Sequence, residues 1–225
     1  IDQTMNISCI AFDFDGTLIR SNRIKRTRLY DTVADIPLAA EILDDMHEEN
    51  FIGDRYEIFQ ELCGRLGLED KENAKNLIRI YGNLCHQSLI ECEEIPGTTV
   101  AIKDLKQSGV SLYIVSATPQ LDLVPIVKCR GLTPYFQAVL GRPTGKIEHL
   151  KAIMKAEQID AGSLVMIGDG MDDLTAAKAI GCHFIAITDD PLVPLSGDHI
   201  AVPDLENIKS AFAGIEHHSK GSAFG

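Results

Sequence analysis

From Pro96 to Ile187 the 225-residue chain alternates short apolar runs with helical patterns, and few folds satisfy that alternation. The apolar runs are 110–115, 136–140, 164–167 and 183–187. Between them lie helical stretches: one ending at Gly109, one from Pro119 to about Arg130, one from about Lys146 to Gln158, and one from about Asp172 to Ile180 closed by Gly181. Strands joined by helices pair in parallel, because the chain must return to the same edge before it can add the next strand. Residues 7–12 read as one more buried strand, with no helix cap before them. The expected fold class is therefore α/β, a doubly wound parallel sheet.

Residues 21–94 interrupt this pattern with helical periodicity and no strand. Pro37 can open a helix carrying Leu38, Ala39, Ile42, Leu43 and Met46 on one face. A second stripe (Ile58, Phe59, Leu62, Cys63, Leu66) ends at Gly67, and a third runs through Ala74, Leu77, Ile78, Tyr81, Leu84 and Cys85. The expected organisation is an α/β core of residues 1–20 and 95–215 with a helical insert at 21–94. Residues 216–225, polar and glycine-containing, are expected to be a loose tail.

Composition excludes several classes of function. No apolar run approaches the ~20 residues a membrane helix needs. The start, Ile1-Asp2-Gln3-Thr4, lacks the basic and apolar regions of a leader. Six cysteines stand singly at 9, 63, 85, 92, 129 and 182, mostly in apolar patterns, so buried free thiols in a cytoplasmic protein are expected. A net charge of −12 argues against nucleic acid as a partner. One stretch opposes the acidic background: Arg20, Arg23, Lys25, Arg26 and Arg28. It fits a solvated face near a hinge and equally a positive rim that attracts an anionic substrate.

Chemistry concentrates where strands should end. Asp13 and Asp15 follow residues 7–12, two apart and so on one side of an extended chain, and Gly16 permits a sharp turn. Asp-Gly is common turn vocabulary, yet two carboxylates this close need a cation or a shared proton, and open α/β sheets bind ligands at that edge. Ser116, Ala117 and Thr118 follow the run 110–115, with Thr118 a plausible helix cap before Pro119. A hydroxyl and free N–H groups at a helix start make an anion site. Lys146 opens the next helix, and Asp169, Asp172 and Asp173 follow the run 164–167. A further cluster of carboxylates at a strand's carboxyl end cannot converge on Asp13 and Asp15 without a cation.

Asp13-Phe14-Asp15-Gly16-Thr17 resembles the first motif of the haloacid dehalogenase superfamily of phosphotransferases. Three later segments agree in order: Ser116 with the second motif, Lys146 with the third, and the run from Gly168 to Asp173 with the fourth. Arg142-Pro143 resembles another version of the third motif, in which Arg142 would replace Lys146. The resemblance implies a Rossmann-like core with a small helical cap, and a Mg²⁺-dependent phosphatase acting on a small phosphorylated metabolite, or alternatively a phosphomutase. Asp13 would be the nucleophile that forms an aspartyl-phosphate, Asp15 the general acid/base, and Lys146 the charge neutralising both nucleophile and phosphoryl group. Gly16, Thr17, Ser116 and Ala117 would bind phosphate. Asp13, the main-chain carbonyl of Asp15, and Asp169 would coordinate Mg²⁺, with Asp173 in support. Asp172 stands where many relatives carry asparagine, so no role follows for it. In the cap, Gly53-Asp54-Arg55 resembles the specificity loop of phosphoglycolate phosphatase-like and phosphoglucomutase-like members, which gives Arg55 a place on the substrate's leaving group or, failing that, on the solvated surface.

Overall fold

A computed structural model describes residues 7–49, 51, 53–68, 70–190, 195, 199–206 and 208–221. The chain forms two compact units, Ile1–Arg20 with Cys92–Gly225, and Ser21–Glu91.

The first unit is built on a parallel sheet of β1 (Cys9–Phe12), β2 (Ser111–Pro119), β3 (Ala138–Arg142), β4 (Leu164–Gly168), β5 (His183–Ile187) and β6 (Ile200–Val202). The strands lie in the order β3-β2-β1-β4-β5-β6, so the order reverses direction between β1 and β4. Ligands in open α/β sheets bind at the carboxyl ends of strands at such a switch point. Helices α5 (Thr98–Gln107), α6 (Gln120–Cys129), α7 (Lys146–Glu157), α8 (Met171–Ile180) and α9 (Ile208–Gly221) accompany the strands. Leu150 and Ile153 of α7, with Leu174 and Ala177 of α8, bury Cys9, Ala11, Val115 and Met166. The alternate residues Ile10, Phe12, Ile114 and Ile167 are also wholly buried, as a sheet covered on both faces requires.

The α/β unit departs from the sequence pattern at three points. Helix α9 runs on past residue 215 to Gly221, with Ile208, Ala211 and Ile215 buried at helical spacing, while residues 222–225 of the expected tail lie outside the described residues. The strand β6 has no counterpart in the sequence reading; it is three residues long and only half-buried, too short for a periodic signal. Finally, β2 does not end at Val115 but continues to Pro119, so Ser116 sits inside a strand and Thr118 caps no helix.

The second unit contains α1 (Asn22–Thr32), α2 (Ala39–Glu48), α3 (Arg55–Arg65) and α4 (Lys71–Glu91). Phe59, Leu62, Tyr81 and Leu89 fill its core, with Phe59 and Tyr81 meeting edge-on at 5.6 Å between ring centres. Asp54 caps α3 by accepting the N–H groups of Tyr56 and Glu57, while the Glu57 carboxylate accepts the N–H of Asp54. Leu38 does not join the apolar face expected of it. It precedes α2 with φ of 66° and is 63% exposed. The expected insert, 21–94, also took in Cys92, Glu93 and Glu94, which belong to the α/β unit. There Arg20 N–H donates to the Glu93 carbonyl (2.9 Å), and Glu94 accepts from Thr99.

Candidate active site

Parallel pairing brings the candidate residues of the α/β unit to one edge. Phe12 of β1 pairs with Ile167 of β4, and the next N–H, of Asp13, donates to the Ile167 carbonyl at 2.8 Å. Asp13 therefore ends its strand beside Gly168 and Asp169. Beyond it the chain turns: Gly16 takes φ of 74°, a left-handed conformation that a side chain would disfavour, and Leu18 N–H closes onto the Phe14 carbonyl at 3.0 Å. That turn buries Thr17, whose hydroxyl donates to Asp169 Oδ1 at 3.1 Å. Thr17 thus acts on a carboxylate of the site.

The carboxylates converge with one lysine. Ligand oxygens of Asp13, Asp169 and Asp173 lie within 4.8 Å of one another, and all three residues are buried. Lys146, the first residue of α7, places Nζ 3.2 Å from Asp13 Oδ2, 2.8 Å from Asp172 Oδ2 and 2.5 Å from Asp173 Oδ1. Asp173 is held from behind as well, since its Oδ2 accepts the N–H of Gly170 at 3.1 Å. Its approach depends on Gly168: a Cβ there would overlap the Asp173 carboxylate. Arg142, the alternative to Lys146, ends β3. Asp172, without an assigned role in the motif, is the third carboxylate on the lysine, at 2.8 Å.

Asp15 is half-buried, and its Oδ2 lies 2.7 Å from the hydroxyl of Thr118. Ser116 is buried, and its Oγ accepts the N–H of Thr118 at 3.1 Å; Ala117 between them is half-buried. Thr118 was missed as a site residue because it reads as a helix cap. Two hydroxyls two apart share one side of an extended chain, and that spacing was the available signal.

The charges do not balance. Burial, opposed by Lys146 but reinforced by Asp172, Asp169 and Asp15, pushes the Asp13 carboxyl up to about 7. Burial would pull the Lys146 ammonium down, but Asp13, Asp173 and Asp172 outweigh it and hold the group well above its ordinary value. One ammonium cannot compensate Asp13, Asp169, Asp172 and Asp173 together. Crowded, buried oxygen donors of this kind fit a hard divalent cation.

The other candidates have partners of their own. Arg55 belongs to the helical unit, where it is the first residue of α3 and its guanidinium stacks 5.2 Å from the centre of the Tyr81 ring. Of the basic stretch, Arg20 forks onto Asp189 at 2.9 and 2.7 Å, and Arg28 pairs with Asp31 at 2.7 Å. Arg23 and Arg26 are exposed on α1, with Lys25 half-buried between them. None of the six cysteines is in a disulfide; Cys9, Cys63 and Cys85 are buried, whereas Cys129 is exposed. Among the described residues, no helix is long and apolar enough to cross a membrane.

Comparison with known proteins matches this geometry to a family. The model of the haloacid dehalogenase-like hydrolases matches residues 10–187. A phosphoglycolate phosphatase of Neisseria gonorrhoeae is 27% identical over 204 residues, spanning 81% of this chain and 80% of the relative. Among solved structures, a predicted phosphoglycolate phosphatase from Haemophilus somnus superposes with a TM-score of 0.72 at 20% identity, covering 93% of this chain and 99% of the other. A haloacid dehalogenase-like protein of Bacillus subtilis, solved bound to magnesium, gives 0.66 at 17% identity, with 91% and 97% covered.

Proposed function

We propose that this chain, which belongs to the haloacid dehalogenase-like hydrolases, is a Mg²⁺-dependent phosphatase of a small phosphorylated metabolite. The observation that carries the reading is the placement of Asp13, buried at a strand end with its Oδ2 3.2 Å from Lys146 and a carboxylate oxygen within 4.8 Å of ligand oxygens of Asp169 and Asp173. A carboxylate so placed can attack phosphorus. In the first step Asp13 forms a bond to phosphorus, the bond from phosphorus to the leaving oxygen breaks, and Asp15 gives that oxygen its proton. In the second, Asp15 takes a proton from water as the water oxygen bonds to phosphorus, and the bond between Asp13 and phosphorus breaks.

The remaining residues hold and neutralise. Lys146 offsets the charge of Asp13 and of the transferring group. Ser116, with Thr17 and Ala117, would bind the phosphate oxygens, whereas Gly16, expected to join them, spends its N–H on the Ile19 carbonyl at 2.9 Å and contributes the turn instead. The Asp13 and Asp169 carboxylates and the Asp15 carbonyl would hold Mg²⁺, supported by Asp173. Bound there, the cation supplies the positive charge that the crowded carboxylates lack. The helical unit, Ser21–Glu91, would set substrate choice through Arg55. Phosphoglycolate phosphatases among the relatives make a phosphorylated hydroxy acid the first substrate to try. The free thiols support a reducing, cytoplasmic location.

Phosphate release from 2-phosphoglycolate and a panel of phosphorylated sugars, acids and nucleotides tests this reading. Activity should require Mg²⁺, vanish in excess chelator, and not return with Ca²⁺, which accepts more ligands at longer range. Full turnover in chelator, or release from no member of the panel, contradicts it. A rate that depends on an added sugar bisphosphate and frees no phosphate would identify a phosphomutase instead.

A further inference from the structure

We propose that Thr118 is a positioning residue that holds the Asp15 carboxyl in line for proton transfer to the leaving group. The inference rests on the reading of Asp15 as the acid/base of a phosphatase. It begins with an irregularity in the sheet. Val115 pairs with Leu140 and Pro119 with Arg142, so four steps along β2 match two along β3. Extra residues in one strand of a pair bend it and re-aim a side chain. Here the re-aimed segment contains Ser116, Ala117 and Thr118.

The segment is pinned from β3. Gln120 donates its side-chain amide to the Val139 carbonyl at 2.8 Å and accepts the N–H of Gly141 at 2.5 Å. Gly141 lies so close that a Cβ on it would overlap the Thr118 carbonyl. Within this clamp Thr118 is only 3% exposed. A β-branched side chain with few χ1 options, fixed on a fixed backbone, can direct its hydroxyl one way. That direction is Asp15 Oδ2, at 2.7 Å. The same residue's N–H meets Ser116 Oγ at 3.1 Å, so Thr118 links the proton-transfer group to the phosphate-binding one.

A hydrogen bond from a rigid donor removes rotational freedom from the carboxyl that must meet the leaving oxygen. Its loss should therefore matter in proportion to how much the leaving group needs a proton. The departing alkoxide of 2-phosphoglycolate needs one; the nitrophenolate of 4-nitrophenyl phosphate barely does. Thr118→Val keeps the shape and deletes the hydroxyl, and Thr118→Ser restores it.

The measurement is kcat/KM for wild type and both variants on the two substrates, with Mg²⁺. Thr118→Val should lose about ten- to a hundredfold on 2-phosphoglycolate, a part of what general acid catalysis contributes, and under about threefold on 4-nitrophenyl phosphate. Thr118→Ser should stay within about threefold of wild type on both. Equal losses of Thr118→Val on the two substrates would overturn the inference, because they would mark a folding or phosphate-binding defect. No loss on either would overturn it too. If 2-phosphoglycolate is not hydrolysed, the most active alkyl phosphate of the panel takes its place; wild-type inactivity towards the whole panel and 4-nitrophenyl phosphate would instead bring down the phosphatase reading, and this inference with it.

Discussion

Both units pair charges at the surface, as Lys209 with Asp104 does in the α/β unit, but among the described residues the α/β unit also buries a charged cluster. In the helical unit, Arg65 pairs with Glu49 and Glu61, and Lys75 with Glu72, with side chains between 29% and 72% exposed. Such pairs stay solvated, are screened by salt and contribute little. In the α/β unit, Lys146, Asp13 and Asp173 meet with side chains 8%, 10% and 0% exposed. Burying that many charges costs stability, and apolar residues of similar volume would hold the fold at least as well. Surface pairs thus tell of solvation, whereas the buried cluster is retained at a cost and tells of chemistry. Topology accounts for the difference. Strand ends in a parallel sheet deliver residues distant in sequence to one place, as the register of Phe12 with Ile167 does for Asp13 and Asp169.

The sharpest way to break this comparison is Lys146→Ala. If the buried cation serves the reaction, kcat/KM should fall by about a hundred- to a thousandfold, the size of a lost electrostatic stabiliser, in protein that remains folded by circular dichroism. A loss below about threefold would class Lys146 with the surface lysines.

A middle-sized effect tests whether the units are separate. Phe59, fully buried in the helical unit, should cost about 3–5 kcal/mol of that unit's stability when changed to Ala. Hydrogen exchange should speed up in α3 and α4 while the amides of β1 and β4 keep their protection. Equal acceleration in both units would make them one cooperative body.

The smallest effect belongs to Arg55. Removing its stacking on Tyr81 by Arg55→Ala should lower stability by about 0.5–1 kcal/mol in thermal unfolding. If Arg55 also selects substrate, the variant should lose more on the true metabolite than on 4-nitrophenyl phosphate. A stability change with equal activity on both would confine Arg55 to packing.

Legibility followed the same division. Apolar runs that become buried strands, such as 164–167 in β4, were readable because nothing but a covered sheet accommodates them. The acidic groups were readable because Asp13, Asp15 and Asp169 fall at the ends of those runs. What escaped notice depends on tertiary detail. The half-buried β6 carries no periodicity, and the left-handed Leu38 before α2 breaks an otherwise good stripe. Thr118 looks like a helix cap until the shifted register of β2 turns it toward Asp15. Asp172, left without a role, gains one only when α7 brings Lys146 within 2.8 Å of it.

The central claim is that Asp13 itself carries the phosphoryl group. Rapid acid quenching of the wild-type enzyme during turnover with Mg²⁺, followed by peptide mass analysis, tests it most directly. The account predicts a phosphoryl group on the peptide containing Asp13, absent when substrate is withheld and absent from Asp13→Asn, whose turnover should be lower by several orders of magnitude. A phosphoryl group on another residue, or Asp13→Asn turning over at an appreciable rate, would contradict it.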